Sequence, residues 1–255
     1  MLEMMLSGKS SVLKDTGPGP QVLMGSYSRA PGKLAGYYGS LNNTALGLTN
    51  SSQFYVLTGT DSLGTNIWPP DSWFKFHLDG KVLFTPQRPC KSGISWLSLY
   101  QLGLVGGEDP VIYPAGLTYY KQNKIITIGN YLYRVRLWRG APANPTKLGT
   151  ASGGYASTDP VELYGSEWNR LLYNIVSGTG LNGQEGDKWA NYYSGSLGVG
   201  YSYGRWVICA DLNSANSNWV FTRSGSALAD ANALVYNFAS NDYGWWPVLE
   251  LVGPA

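Results

Sequence analysis

Alternation of apolar and polar residues is clearest in this chain where a turn dipeptide interrupts it. Trp73-Phe74-Lys75-Phe76-His77-Leu78 and Lys81-Val82-Leu83-Phe84 flank Asp79-Gly80, and Asp-Gly supplies the positive φ values that a two-residue hairpin turn requires. A β-hairpin is predicted there. A second is predicted where Ile125 to Ile128 and Tyr131 to Trp138 surround Gly129-Asn130. Its second arm places Tyr131, Tyr133, Val135 and Leu137 on one face and Leu132, Arg134, Arg136 and Trp138 on the other, so half of it is expected to be buried.

Helical spacing occurs twice. Ser95 caps a short helix with Trp96, Leu99 and Tyr100 on one side, ended by Gly103. Ser166 caps Glu167 to Val176, where Trp168, Leu171, Leu172 and Ile175 recur at i, i+3, i+4, i+7 and form a stripe expected to face a sheet. Arg205 to Ala210, Asn218 to Thr222 and Trp245 to Val252 read as strands. Pro247 lacks a ladder donor, so the last of these is an edge, a bulge, or begins after it. The stretches at 140–160, 192–204 and 223–244 read as loops, and 140–160 is long enough to be a functional or contact loop.

The first 70 residues look different. Gly, Ser, Asn and Pro punctuate very short apolar pieces, a pattern that predicts an extended arm over 1–70 with contact points at Leu23, Tyr37, Tyr38 and Phe54 to Leu57. Trp68-Pro69-Pro70 closes it, and a globular domain is expected over 71–255.

Composition narrows the function. The 255 residues carry a formal charge of only +2, charged residues make up 13% and aromatics 14%. With no basic runs, the chain lacks the cation density that a phosphate backbone demands, so nucleic acid is not an expected partner. Met1 to Ser10 shows no basic start leading into an apolar run, and no apolar stretch approaches 18 residues, so neither a signal peptide nor membrane insertion is expected. Cys90 and Cys209 lie far apart and read as two buried free thiols rather than a disulfide. One histidine, His77, and two lone cysteines cannot make a zinc centre, so no metal or cofactor is predicted. An oxygen-only calcium site would leave no mark at this level. His77 itself reads as structural or surface.

No nucleophile motif, phosphate loop, dinucleotide fingerprint or metalloprotease helix is present, and the chain reads as non-enzymatic. Glycoside hydrolysis needs only two carboxylates, but Glu162, Glu167, Asp187, Asp211 and Asp242 read as solvated or capping groups. Aromatic and amide residues are the stronger signal. Tyr and Trp offer rigid area with a polar tip, and Asn offers adaptable hydrogen bonding. Tyr201, Tyr203, Trp219, Tyr236, Asn237, Asn241, Asp242, Tyr243, Trp245 and Trp246 are the predicted ligand-binding set, centred on YNFASNDYGWW at 236–246.

The Phe74 to Phe84 hairpin, Tyr133 to Leu137, Gly165 to Leu171, and Gly244-Trp-Trp-Pro-Val-Leu-Glu-Leu251 together resemble virion structural proteins of tailed bacteriophages. Trp246 stands where that pattern usually has Arg. The closing Gly-aromatic-x-Pro-Val-Leu segment after a long irregular region is also similar to C-type-lectin-like domains. The resemblance implies an α+β, β-rich fold: short twisted antiparallel sheets, one or two helices and long loops, preceded by the arm. It implies a virion location, the arm meeting other virion proteins, and a tail fibre or receptor-binding adhesin that recognises a host-surface glycan or protein. A head fibre, decoration or connector is the alternative. Homo-oligomerisation is expected, with a trimer suiting a fibre.

Overall fold

The computed structural model describes residues 15–30, 33–109, 113–141, 166–176, 189–213, 216, 218–226, 228 and 230–255. Most of the 140–160 loop, Glu162 and Asp187 therefore lie outside the described residues.

Both predicted hairpins form. β4 (Ser72–Leu78) and β5 (Lys81–Pro86) pair with Leu78 opposite Lys81. Asp79 and Gly80 take φ of 50° and 87°, as the turn demands. β7 (Ile125–Ile128) and β8 (Tyr131–Arg136) pair across Gly129-Asn130, where Gly129 alone takes a positive φ of 56°.

These hairpins belong to a sheet of seven strands ordered β1-β2-β4-β5-β13-β8-β7, where β1 is Gly25–Ala30, β2 is Lys33–Asn42 and β13 is Val248–Pro254. A second sheet of six strands runs β11-β10-β9-β12-β6-β3. Its members are β3 (Thr65–Asn66), β6 (Lys91–Ser92), β9 (Trp206–Leu212), β10 (Trp219–Ser224), β11 (Ala231–Val235) and β12 (Tyr243–Trp245). Among the described residues all strand pairings are antiparallel except β9 with β12. The fold is α+β and β-rich. β11 lies inside a stretch expected to be loop; its ANALV carries no alternation that marks a strand.

The expected arm over 1–70 gives way to a different arrangement across its described part. β2 pairs with β4 along its length, from Ala35 opposite Leu78 to Asn42 opposite Ser72. Tyr37, Leu41, Leu46, Phe54 and Tyr55 are buried. The short apolar pieces do bury surface, because they close over a sheet built from later sequence. Two helices also lie here, α1 (Asn43–Leu46) and α2 (Ser51–Thr58). Asn42 and Asn50 cap them, accepting from Ala45 N and Gln53 N, and Gly47 and Gly59 end them in the left-handed region. With α3 (Trp96–Gln101) and α4 (Glu167–Leu171), the described residues hold four short α-helices instead of one or two. Ser95 and Ser166 are the N-caps of the latter two, as predicted. The 166–176 helix is shorter than expected, since Tyr173–Ile175 continues it as a 3₁₀ turn.

The closing segment joins the sheets. Pro247 separates β12, in the six-stranded sheet, from β13, in the seven-stranded one, so the strand begins after the proline. Trp245 points into a core with Phe54, Trp73, Phe84, Trp96 and Tyr133, while Trp246 points into another with Phe74, Phe76, Trp138, Trp168 and Phe221. With core on both sides, β8 and the residues after it are buried beyond the expected half: Arg136 and Trp138 are also covered. Cys90 and Cys209 are buried free thiols. Among the described residues no helix is long and apolar enough to cross a membrane.

Candidate functional site

Three loops meet at one end of the six-stranded sheet. The backbone of Gly204 donates to Asn241 O at 2.7 Å, Trp206 N to Asp242 O at 2.9 Å, and Gly93 N to Ser240 O at 3.2 Å. Close backbone approach makes this junction possible: a Cβ on Gly244 would lie 2.7 Å from Gly204 O. The rim carries exposed Tyr201 and Tyr203, exposed Asn241, and an ion pair of 3.5 Å between Arg205 and Asp242. Tyr201 meets Trp68 edge-on, ring centroids 5.3 Å apart at 84°. The Arg88 guanidinium lies over the Trp68 ring at 5.7 Å and donates from Nε to Ser196 O at 2.6 Å. Trp68 and Arg88 carry no recognition motif in the sequence; Trp68 reads only as a boundary because two prolines follow it.

The predicted residues divide. Tyr201, Tyr203, Asn241 and Asp242 share the rim, with Tyr243 half-buried beneath it and edge-on to exposed Phe238 at 6.0 Å. Trp219, Tyr236 and Asn237 lie toward the far edge of the sheet, where Trp219 pairs with exposed Val235 on the edge strand β11. Trp245 and Trp246 are corrections: both are 0% exposed and out of reach of any ligand. Trp245 stacks on Phe54 at 5.7 Å, and Trp246 is enclosed by Trp138 and Trp168 while its Nε1 donates to Pro86 O at 2.6 Å. Two adjacent tryptophans point to opposite sides of a strand, and here both sides are core. A further tyrosine group surrounds Tyr100, formed by Tyr113, Tyr119 and Tyr120 on a stretch in which no periodicity marks an element.

Charge is concentrated elsewhere. Arg136 grips Glu167 through both guanidinium ends, at 3.0 and 2.9 Å, and reaches Glu250 from Nε at 3.3 Å. Arg134 and Lys81 complete the ring around Glu250, each at 3.1 Å. Burial works against the Glu250 charge, but Arg136 and Lys81 hold its pKa below the usual range. Arg170 clasps Asp79 with two bonds of 2.7 Å. A cavity of about 330 Å³ opens beside these groups, with Glu108 and Arg139 at its mouth, 3.0 Å apart. Its cations face carboxylates, so the lining is close to neutral.

Of the carboxylates read as solvated or capping, Glu167 and Asp211 are buried. Glu167 belongs to the buried ion network. Asp211 accepts from Gly140 N at 2.6 Å and Ala141 N at 3.2 Å, and burial pushes its pKa up to about 7 against those bonds. His77 is structural: its Nε2 accepts from Gly80 N at 3.2 Å, and burial lowers its pKa. Among the described residues no group of three or more His, Cys, Asp or Glu is placed to hold a metal ion. No family model, no curated protein and no solved structure matches this chain.

Proposed function

We propose that this chain is a virion structural protein of a tailed bacteriophage and acts as a tail-fibre or receptor-binding adhesin toward a host-surface glycan or protein. The observation that carries the reading is the rim itself: exposed Tyr201, Tyr203 and Asn241 on loops pinned to one another by backbone hydrogen bonds. Rigid aromatic area beside adaptable amides is the composition of a recognition surface. Virion origin rests on the sequence motifs, and each of the four falls on an element of the fold: β4–β5, β8, α4 and β12–β13. The C-type-lectin-like assignment rests on the closing segment and on the loops that precede it. In this reading the chain needs no cofactor, meets other virion proteins through its N-terminal region, and assembles as a homo-oligomer, with a trimer suiting a fibre.

A head fibre, decoration or connector role is the second reading. Trp219 and Val235 favour it, because they are exposed apolar groups paired with one another at an open sheet edge, the kind of surface that permanent assembly covers. The two readings separate in one experiment. Antibodies against the chain are used to label intact particles under the electron microscope, and the purified full chain is used to compete with particles for adsorption to host cells. Tail-tip label with reduced adsorption is the expected result. Head label without competition would replace the adhesin with the decoration role.

A further inference from the structure

We infer that the rim takes an uncharged polysaccharide, with a pyranose ring stacked on Tyr201, and that Trp68 is the residue that positions this platform. The inference rests on the adhesin reading and names its ligand class.

Tyr201 is 49% exposed and follows Gly200, whose φ of 80° puts the backbone in the left-handed region of a turn. An exposed tyrosine on such a loop ordinarily samples several rotamers. Here a chain of contacts holds it. Ser196 O fixes Arg88, Arg88 lies over the Trp68 ring, and Trp68 meets Tyr201 edge-on. Gly198 lets the loop press against the same indole, since a Cβ there would lie 3.1 Å from Trp68 Cζ3. An aromatic ring held in place before binding loses less freedom when a ligand arrives, which raises affinity without a new contact.

The ligand class follows from what surrounds the ring. A pyranose presents C–H groups that stack on the electron-rich face of an aromatic ring, and hydroxyls that need donors and acceptors at its edge. Ser202 and Tyr203, exposed next to Tyr201 in the same loop, and exposed Asn241, whose carbonyl accepts from Gly204 of that loop, offer both. An anionic ligand would need uncommitted cations. Among the described residues of these loops, Arg88 is engaged by Ser196 and Trp68, Arg205 faces Asp242, and Lys91 is buried with its Nζ on Leu63 O at 2.8 Å.

Host-surface polysaccharide, separated by anion exchange into neutral and acidic fractions, is immobilised and probed with the full chain. Binding to the neutral fraction is expected, weakened at least about tenfold by Tyr201→Ala. Trp68→Ala weakens it about two- to tenfold, as expected when a side chain must be ordered on binding. Trp68→Phe restores most of the loss, and both Trp68 variants keep the parent melting temperature within a few degrees. Tyr119→Ala, exposed elsewhere, binds like the parent. Binding to the acidic fraction alone, no binding to the neutral fraction, or indifference to Tyr201→Ala overturns the inference. If the chain still competes for adsorption in any of those cases, the adhesin reading stands without this ligand. If it does not compete, both fall.

Discussion

The Lys75 ammonium donates to the carbonyl of Pro20 at 2.7 Å from a fully buried position in β4. It also reaches Pro18 O at 2.9 Å and Thr16 Oγ1 at 3.0 Å, and lies 4.9 Å from the centre of the Tyr38 ring. Thus a charged residue on a sheet fastens the GPGP stretch that precedes β1. Burial lowers its pKa to about 8, with Asp15 opposing. A lysine that binds its proton less tightly when folded destabilises the fold at neutral pH, and that cost is relieved as pH rises from the folded toward the unfolded value. The parent should therefore gain on the order of 3 kcal/mol relative to Lys75→Met between pH 8 and 10.5. Urea unfolding of both proteins at several pH values measures the difference. Comparison with the variant is needed because Tyr37, Tyr55 and Tyr133, whose burial raises their pKa, lose stability above pH 10 in both.

Asp211 predicts a trend at the acid side. Its folded pKa of about 7 lies above the unfolded value, so its contribution is full below about pH 4 and is lost as pH rises through 7. Glu250 and Asp79, held below the carboxylate range, run the opposite way: their contribution is present above their unfolded values and disappears on acidification. Relative to Asp211→Asn, the parent should become more stable as pH falls from 8 to 5. A flat difference would mean that Asp211 is as acidic in the fold as in the unfolded chain.

Arg136 holds two carboxylates in the interior. Removing it leaves Glu167 and Glu250 buried and short of a cation, which costs about 3–5 kcal/mol. Arg136→Met should lower the denaturation midpoint far more than Arg139→Met, which breaks the exposed pair with Glu108 and removes a longer-range attraction to Asp211. Equal effects in thermal melts would show that the Glu250 network contributes no more than a surface contact.

Trp246 is a core residue, so Trp246→Ala should cost about 3–5 kcal/mol. Trp246→Phe should cost less, and neither should change ligand affinity in the folded fraction. Calorimetry gives the first quantity and titration of the folded protein the second.

Residues 25–66 complete both cores, and a 71–255 fragment would expose the flank of β4 together with the partners of Tyr37 and Phe54. It should show weak near-ultraviolet circular dichroism and bind apolar dyes. A cooperative, well-packed fragment would restore the separate arm.

Local chemistry was legible in the residues. Asp79-Gly80 and Gly129-Asn130 set their hairpins, Ser95 and Ser166 capped their helices, and Pro247 limited the last strand to an edge, a bulge or a start after it, because each signal acts within a few residues of backbone. The exposed half of the candidate site, Tyr201, Tyr203 and Asn241, was legible for the same reason: glycine and asparagine mark loops, and loops lie outside. What the tertiary structure alone decided concerns partners distant in sequence. Tyr37 and Phe54 look too sparse to fold until a sheet from residues 72–86 lies beside them, Trp68 reads as a linker until Tyr201 arrives, and Trp245 and Trp246 read as a surface pair until two sheets close over them. A strand's alternation shows which side chains share a face, but whether that face meets water or another layer depends on long-range packing, which no local pattern encodes.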